Sequence, residues 1–257
     1  MKIRIPSLFL PICFTLLFAI ASVAQPAEKS PGIKLYDKGD IVGAIELLKK
    51  SDDLVDLNYL GYAYEKSGNE KEARNAFDRS FKAGYKEFAD DIIKRASFEP
   101  KKSVPDDKLS SFLEKNASRI VVSAVSARRT LELKGSSAND NEWKMKALMI
   151  GEIGRLLVSG QLVYSVRELD ADARIIAKPR PGYTDRARYN NTQGTIELIV
   201  LFGADGQVKG ALPTKGLANG LTEQSHLAAH RISFTPAQKA GKSVAILKAI
   251  SYSFSIY

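Results

Sequence analysis

Apolar residues in the first half of the chain recur at helical spacing. Leu57, Leu60, Gly61, Tyr64, Gly68, Ala73, Phe77 and Ser80 fit two amphipathic helices joined at Gly68, where glycine adopts a left-handed backbone without strain. Gly39-Asp40, Ala44, Leu48 and Ser51 stand 29 residues before Gly68-Asn69, Ala73, Phe77 and Ser80, so one full helix pair follows half a copy of itself. Small residues at Gly61 and Ala73 allow the helices to approach, and Tyr64 and Phe77 fill the space around them. A charged, proline-containing break at 101–105 precedes Leu109, Phe112, Leu113, Ala117, Ile120, Val121, Ala124 and Val125, again at helical spacing. Residues 135–139 are small and loop-forming. Asp140 or Asn141 can cap a further helix carrying Trp143, Ala147, Ile150, Ile153 and Leu157, with Trp143 in the core.

The period then changes from helical to alternating. Leu162, Tyr164 and Val166 predict a short strand leading into the last part of the chain. Pro179-Arg180-Pro181-Gly182-Tyr183-Thr184 is an extended approach, because proline disfavours helix at the residue before it. Thr184 can cap a short helix over 185–190. A strand over 195–202 and a partner over 208–212 flank the tight turn Ala204-Asp205-Gly206. A helix over 222–231 follows, with Leu227, Ile232 and Phe234 expected to meet the sheet. A loop at 236–241 then leads to a long terminal strand, 243–257. Along that strand Val244, Ile246, Ile250, Tyr252, Phe254 and Ile256 share one face, broken only by Lys248, and Ala245, Ala249, Ser251, Ser253 and Ser255 share the other. One buried and one polar face is what an outer strand needs.

The first residues do not belong to this pattern. Lys2 and Arg4 precede an apolar stretch that ends in Ser22-Val23-Ala24, the arrangement of a secretory signal cleaved after Ala24. The alternative is an uncleaved inner-membrane anchor over 5–24, since about 20 apolar residues span a bilayer. Both place the remainder in the periplasm. Cys13, within this stretch, is the only cysteine, so disulfides and thiolate chemistry are excluded from the exported part. Charge is uneven. Residues 174–257 hold eleven Lys and Arg against four Asp and Glu, whereas 25–173 are balanced. Nucleic acid is not an expected target of an exported protein. An acidic peptide, a lipid, a wall polymer or a solvated basic face remain open. His226 and His230, four apart on a helix with Glu223 nearby, lack an evident third metal ligand. No phosphate loop, dinucleotide-binding glycine pattern or nucleophile–base pair is present. No enzyme activity, cofactor or metal is expected.

Two resemblances sharpen this reading. The spacing over 57–80 resembles the tetratricopeptide repeat, although the 29-residue period is five shorter than that family's. Pro181, Tyr183, Ala187-Arg188, Gly194, Asp205-Gly206, Val208, Leu221, Phe234, Pro236-Ala237, Gly241, Val244, Tyr252 and Phe254, in their order over 174–257, resemble the C-terminal domain of TonB. Together they imply an α+β protein: helical repeats over 31–100, a helical extension over 105–160, and a small sandwich-like domain with an antiparallel three-stranded sheet and two helices. The TonB resemblance implies a protein that binds partner proteins by strand addition beside its last strand, at Val244, Ile246, Lys248, Ile250, Tyr252 and Phe254. The partners it implies are outer-membrane transporters energised from the inner membrane. Two departures leave engagement of the inner-membrane motor open. Residues 5–24 contain no Asp, Glu, His, Lys or Arg, and no proline-rich spacer precedes the domain. The alternative is a periplasmic scaffold for envelope proteins without energy transduction.

Overall fold

The computed structural model describes residues 28–96, 108–133 and 141–256. The expected signal segment, Cys13 and the breaks at 101–105 and 135–139 lie outside these residues. Two helix hairpins open the fold: α1 (Pro31–Asp37) with α2 (Ile41–Leu48), and α3 (Leu54–Lys66) with α4 (Glu70–Ala96). Their turns are equivalent. Gly39 and Gly68 have φ of 84° and 77°, and the following Asp40 and Asn69 side chains accept from the Gly43 and Glu72 amides. Ala44 and Ala73 are fully buried. A Cβ at Gly61 would lie 2.5 Å from the Phe77 ring, and one at Gly32 would lie 2.7 Å from Leu48, so each hairpin closes on a glycine.

Two sequence expectations change here. The first copy is a complete hairpin and not a half, because Ser30 caps α1 through the Ile33 amide and Pro31 starts it within only seven residues. Ser51 and Ser80 are not equivalent either. Ser51 accepts from the Asp53 amide in a loop, whereas Ser80 lies inside the 27-residue α4 and donates to the Leu54 carbonyl at 2.7 Å.

The helices α5 (Leu109–Lys115), α6 (Ala117–Glu132) and α7 (Asn141–Val158) complete the helical part. Trp143 packs edge-on against Phe81 in the core and donates Nε1–H to Asp78 at 3.0 Å. The sheet comprises β1 (Val163–Ser165), β3 (Gly194–Phe202), β4 (Val208–Lys215), β6 (Ala237–Lys239) and β7 (Lys242–Phe254). Its strand order is β1-β7-β3-β4, with β6 beside the start of β7. A separate two-stranded sheet joins β2 (Arg174–Ala177) to β5 (Ser233–Thr235). Two short helices, α8 (Asp185–Tyr189) and α9 (Leu221–Ala229), belong to the same region.

The expected three-stranded antiparallel sheet is therefore a five-stranded one. β1 pairs in parallel with β7, and the loop expected at 236–241 contains β6. The cause of the second change is local. Ala240 and Gly241 both have positive φ, which closes a two-residue hairpin between Lys239 and Lys242. β1 is held by the buried Glu168, whose carboxylate accepts from the Ser165 and Ser110 amides and hydroxyls, tying the strand to the start of α5.

Both faces of the sheet are covered along part of its length. Ile196, Leu198, Val200, Phe202, Ile246, Ile250, Tyr252 and Phe254 pack with Ala228 and Ala229 of α9, Phe234 of β5 and Ala173. Leu227 points away and is 55% exposed, contrary to its expected role; the small Ala228 and Ala229 make the approach instead. On the opposite face Ile199, Leu201, Leu212, Ala245 and Leu247 join one core with Ile153, Met149 and Phe81 of the helices. Each large side chain so buried contributes about 1.5–3 kcal/mol. The core therefore runs without a break from the helices into the sheet.

Candidate partner-binding edge

β7 carries the edge at which a partner strand is expected. On one side it is paired with β3 from Ile246↔Phe202 to Phe254↔Gly194. Its first half is occupied as well: β6 pairs with it from Lys242 to Val244, before the β3 pairing begins, and β1 pairs with Ala245, Ile246 and Leu247 on the side away from β3. No strand among the described residues pairs with 248–254 on that side. The edge expected at Val244 and Ile246 is thus already filled, by Ala237 opposite Val244 and Tyr164 opposite Ile246. Lys248 is engaged as well, through an ion pair with Asp172 and a 3.5 Å contact to the Ala173 carbonyl.

Ile250, Tyr252 and Phe254 lie on the open stretch, but their side chains are buried in the core and anchor the strand. The backbone groups that face outward belong to their neighbours. The Ser251 carbonyl accepts from Lys178 Nζ at 3.2 Å, outside the β3–β7 ladder. Ser251 therefore points away from β3, and strand alternation sends Ala249 and Ser253 the same way. All three side chains are exposed on the solvated face. Among the described residues no backbone hydrogen bond reaches Ala249, Ser251 or Ser253 from beyond the ladder. Sequence reasoning missed these three because it followed side-chain alternation. The outward direction of the amides depends on the register with β3, which only the structure supplies.

The residues of the expected motif each hold part of this frame. Pro181 is half-buried in the extended approach. Tyr183 donates its hydroxyl to the Thr192 carbonyl, packs edge-on against Phe254 at 5.5 Å and lies under the Arg188 guanidinium at 5.1 Å. Gly194 begins β3 opposite Phe254. Asp205 accepts from the Gln207 amide at 3.2 Å and pairs with Lys209; burial opposes its ionisation, but these bonds hold its carboxyl below the usual range. Gly206 has φ 79° in the same turn, and Gly241 has φ 71° in the β6–β7 turn. Phe234 stacks edge-on with Phe202 at 4.6 Å, and Pro236 follows it, half-buried. These contacts orient β7 and its approach.

His226 has Nδ1 at 2.9 Å from the Ala211 carbonyl, and its ring lies 4.7 Å from that of His230. Burial lowers the pKa of both imidazoles, with the neighbouring His226 adding to the effect at the more exposed His230. Among the described residues no group of three or more His, Cys, Asp or Glu is placed to hold a metal. No described helix is long and apolar enough to cross a membrane. Among the described residues the buried Tyr252 hydroxyl has no hydrogen-bond partner, and burial pushes its pKa up against the opposing charge of Arg231.

Comparison with protein-family models returns no match, and comparison with curated proteins returns none either. Among solved structures, the solution structure of the TonB C-terminal domain of Pseudomonas aeruginosa aligns with 34% of this chain and 89% of its own. Identity is 19% and the TM-score 0.29.

Proposed function

We propose that the chain is an exported envelope protein that binds an extended segment of a partner protein as an added strand along 248–254 of β7. One observation carries this reading. Ala249, Ser251 and Ser253 present outward backbone groups without a strand partner among the described residues, on a strand paired along its other side with β3. In strand addition the main chain supplies affinity, so a fixed strand with open amides is the required element. Export rests on the apolar stretch ending at Ala24, and the likeness to TonB rests on the motif residues in 174–257. That likeness suggests outer-membrane transporters as partners.

A second reading is favoured by the shared core. A force-transmitting domain needs freedom from the rest of its chain, whereas this sheet buries Ile199, Leu201, Leu212, Ala245 and Leu247 against the helices. Such a body suits a scaffold, in which the helical hairpins, similar in spacing to tetratricopeptide repeats, and the sheet edge hold different envelope proteins.

Ser251→Pro tests the binding mode. Its amide points outward, so proline there removes a donor offered to the partner and leaves the β3 ladder intact. Affinity for a transporter plug-region peptide should fall at least about tenfold, measured by fluorescence anisotropy on the whole chain, with folding retained. Unchanged affinity in a folded Ser251→Pro variant would refute addition at this edge.

A further inference from the structure

Resting on the strand-addition reading, we propose that Lys178 selects the partner: the added strand carries a carboxylate side chain, which takes this ammonium group from the Ser251 carbonyl. Lys178 follows β2 and reaches across the open edge, with its Nζ 3.2 Å from the Ser251 carbonyl and 5.3 Å from the centre of the Tyr252 ring. It thus occupies one of the acceptors that an incoming strand must use. No carboxylate pairs with Lys178 among the described residues. The contrast with Lys248 is instructive, because that ammonium is neutralised by Asp172.

The surroundings reinforce the charge. Arg174 on β2 and Arg231 after α9 are exposed, and the positive charge of Arg231 acts on the Tyr252 hydroxyl. Glu197 stands opposite Ser251 on β3, but it lies on the solvated face, whereas Lys178 covers Tyr252 on the packed face. A lysine laid along an edge deters indiscriminate pairing. A neutral strand would break a charge-assisted hydrogen bond and leave the ammonium without its acceptor. A strand with a suitably placed Glu or Asp would keep it paired. A second copy of this chain would bring a second Lys178 to the same edge, so like charges oppose self-pairing.

The probes are three labelled ten-residue peptides of alternating Thr and Val with Glu, Gln or Lys at one central position, titrated against the whole chain at low salt. Wild type should bind the Glu peptide about three- to fivefold more tightly than the Gln peptide and about tenfold more tightly than the Lys peptide. Lys178→Glu should reverse that order. Lys178→Gln, which keeps the stem and a donor, should level it and raise affinity for the Gln peptide. Ser251→Pro should weaken all three. If Lys178→Glu leaves the order unchanged while Ser251→Pro still blocks binding, strand addition stands and the role of Lys178 is overturned. If no peptide binds any variant, strand addition itself fails and this inference fails with it.

Discussion

The two halves of β7 have one backbone geometry and opposite environments. Between Lys242 and Leu247 every residue is paired, by β6 up to Val244 and by β1 from Ala245, with β3 joining on the opposite side at Ile246 and Leu247, and Ala245, Ile246 and Leu247 are buried. Between Lys248 and Phe254 it has one neighbouring strand among the described residues and one buried face, with Ala249, Ser251 and Ser253 exposed. The difference arises outside the strand, because the helical layer and β1 end before the sheet does. A strand fastened along one half can offer the other half to a partner without losing its own place.

That contrast makes unequal demands on identical substitutions. Ala245→Asp places a charge between the sheet and the helical core and should cost about 3–5 kcal/mol in urea unfolding. Ala249→Asp, four residues on and exposed, should stay within about 0.5 kcal/mol. Similar costs at the two positions would erase the distinction between the halves. A smaller effect separates the two tyrosines that fix the open half. Tyr183→Phe loses the bond to the Thr192 carbonyl and should cost about 1 kcal/mol, whereas Tyr252→Phe removes a buried, unpartnered hydroxyl and should be neutral or stabilising. Thermal unfolding of both variants checks the sign.

The mildest handle is pH. Burial lowers the folded pKa of His226 below the ordinary imidazole value of 6.5, so below that value the unfolded chain binds more protons. Its contribution to stability is present in full above pH 6.5 and is lost as pH falls from there through the lowered folded value. His226→Gln should reduce the slope of stability over that window, with His230, whose pKa is lowered in the same direction, contributing the remainder. An unaltered profile in the variant would remove His226 as the cause.

Much of the frame was legible in the residues because its signals are local. Gly39-Asp40 and Gly68-Asn69 mark turns and caps within a few positions, Asp205-Gly206 marks a hairpin, and the alternation from Ile250 to Phe254 describes a strand with one buried face. What was not legible is pairing at a distance. Val163 meets Ala245 across a long stretch of chain in a parallel register that no local pattern encodes. β6 is three residues long and follows Pro236, too short for a readable alternation. α1 spans only two turns and shows no periodicity of its own. The candidate edge combined both kinds of signal. Its strand could be read, but the identity of its outward amides followed from the register with β3 and from Lys178.

The central claim is that an extended peptide bonds to Ala249, Ser251 and Ser253. Residue-resolved amide exchange on the whole chain, with and without a transporter plug-region peptide, tests it most directly. The account predicts slower exchange at these three amides on binding, with little change at Ile250, Tyr252 and Phe254, which are already bonded to β3, or at 242–247, which are already covered. Protection without this alternation, or protection confined to α9, would contradict it.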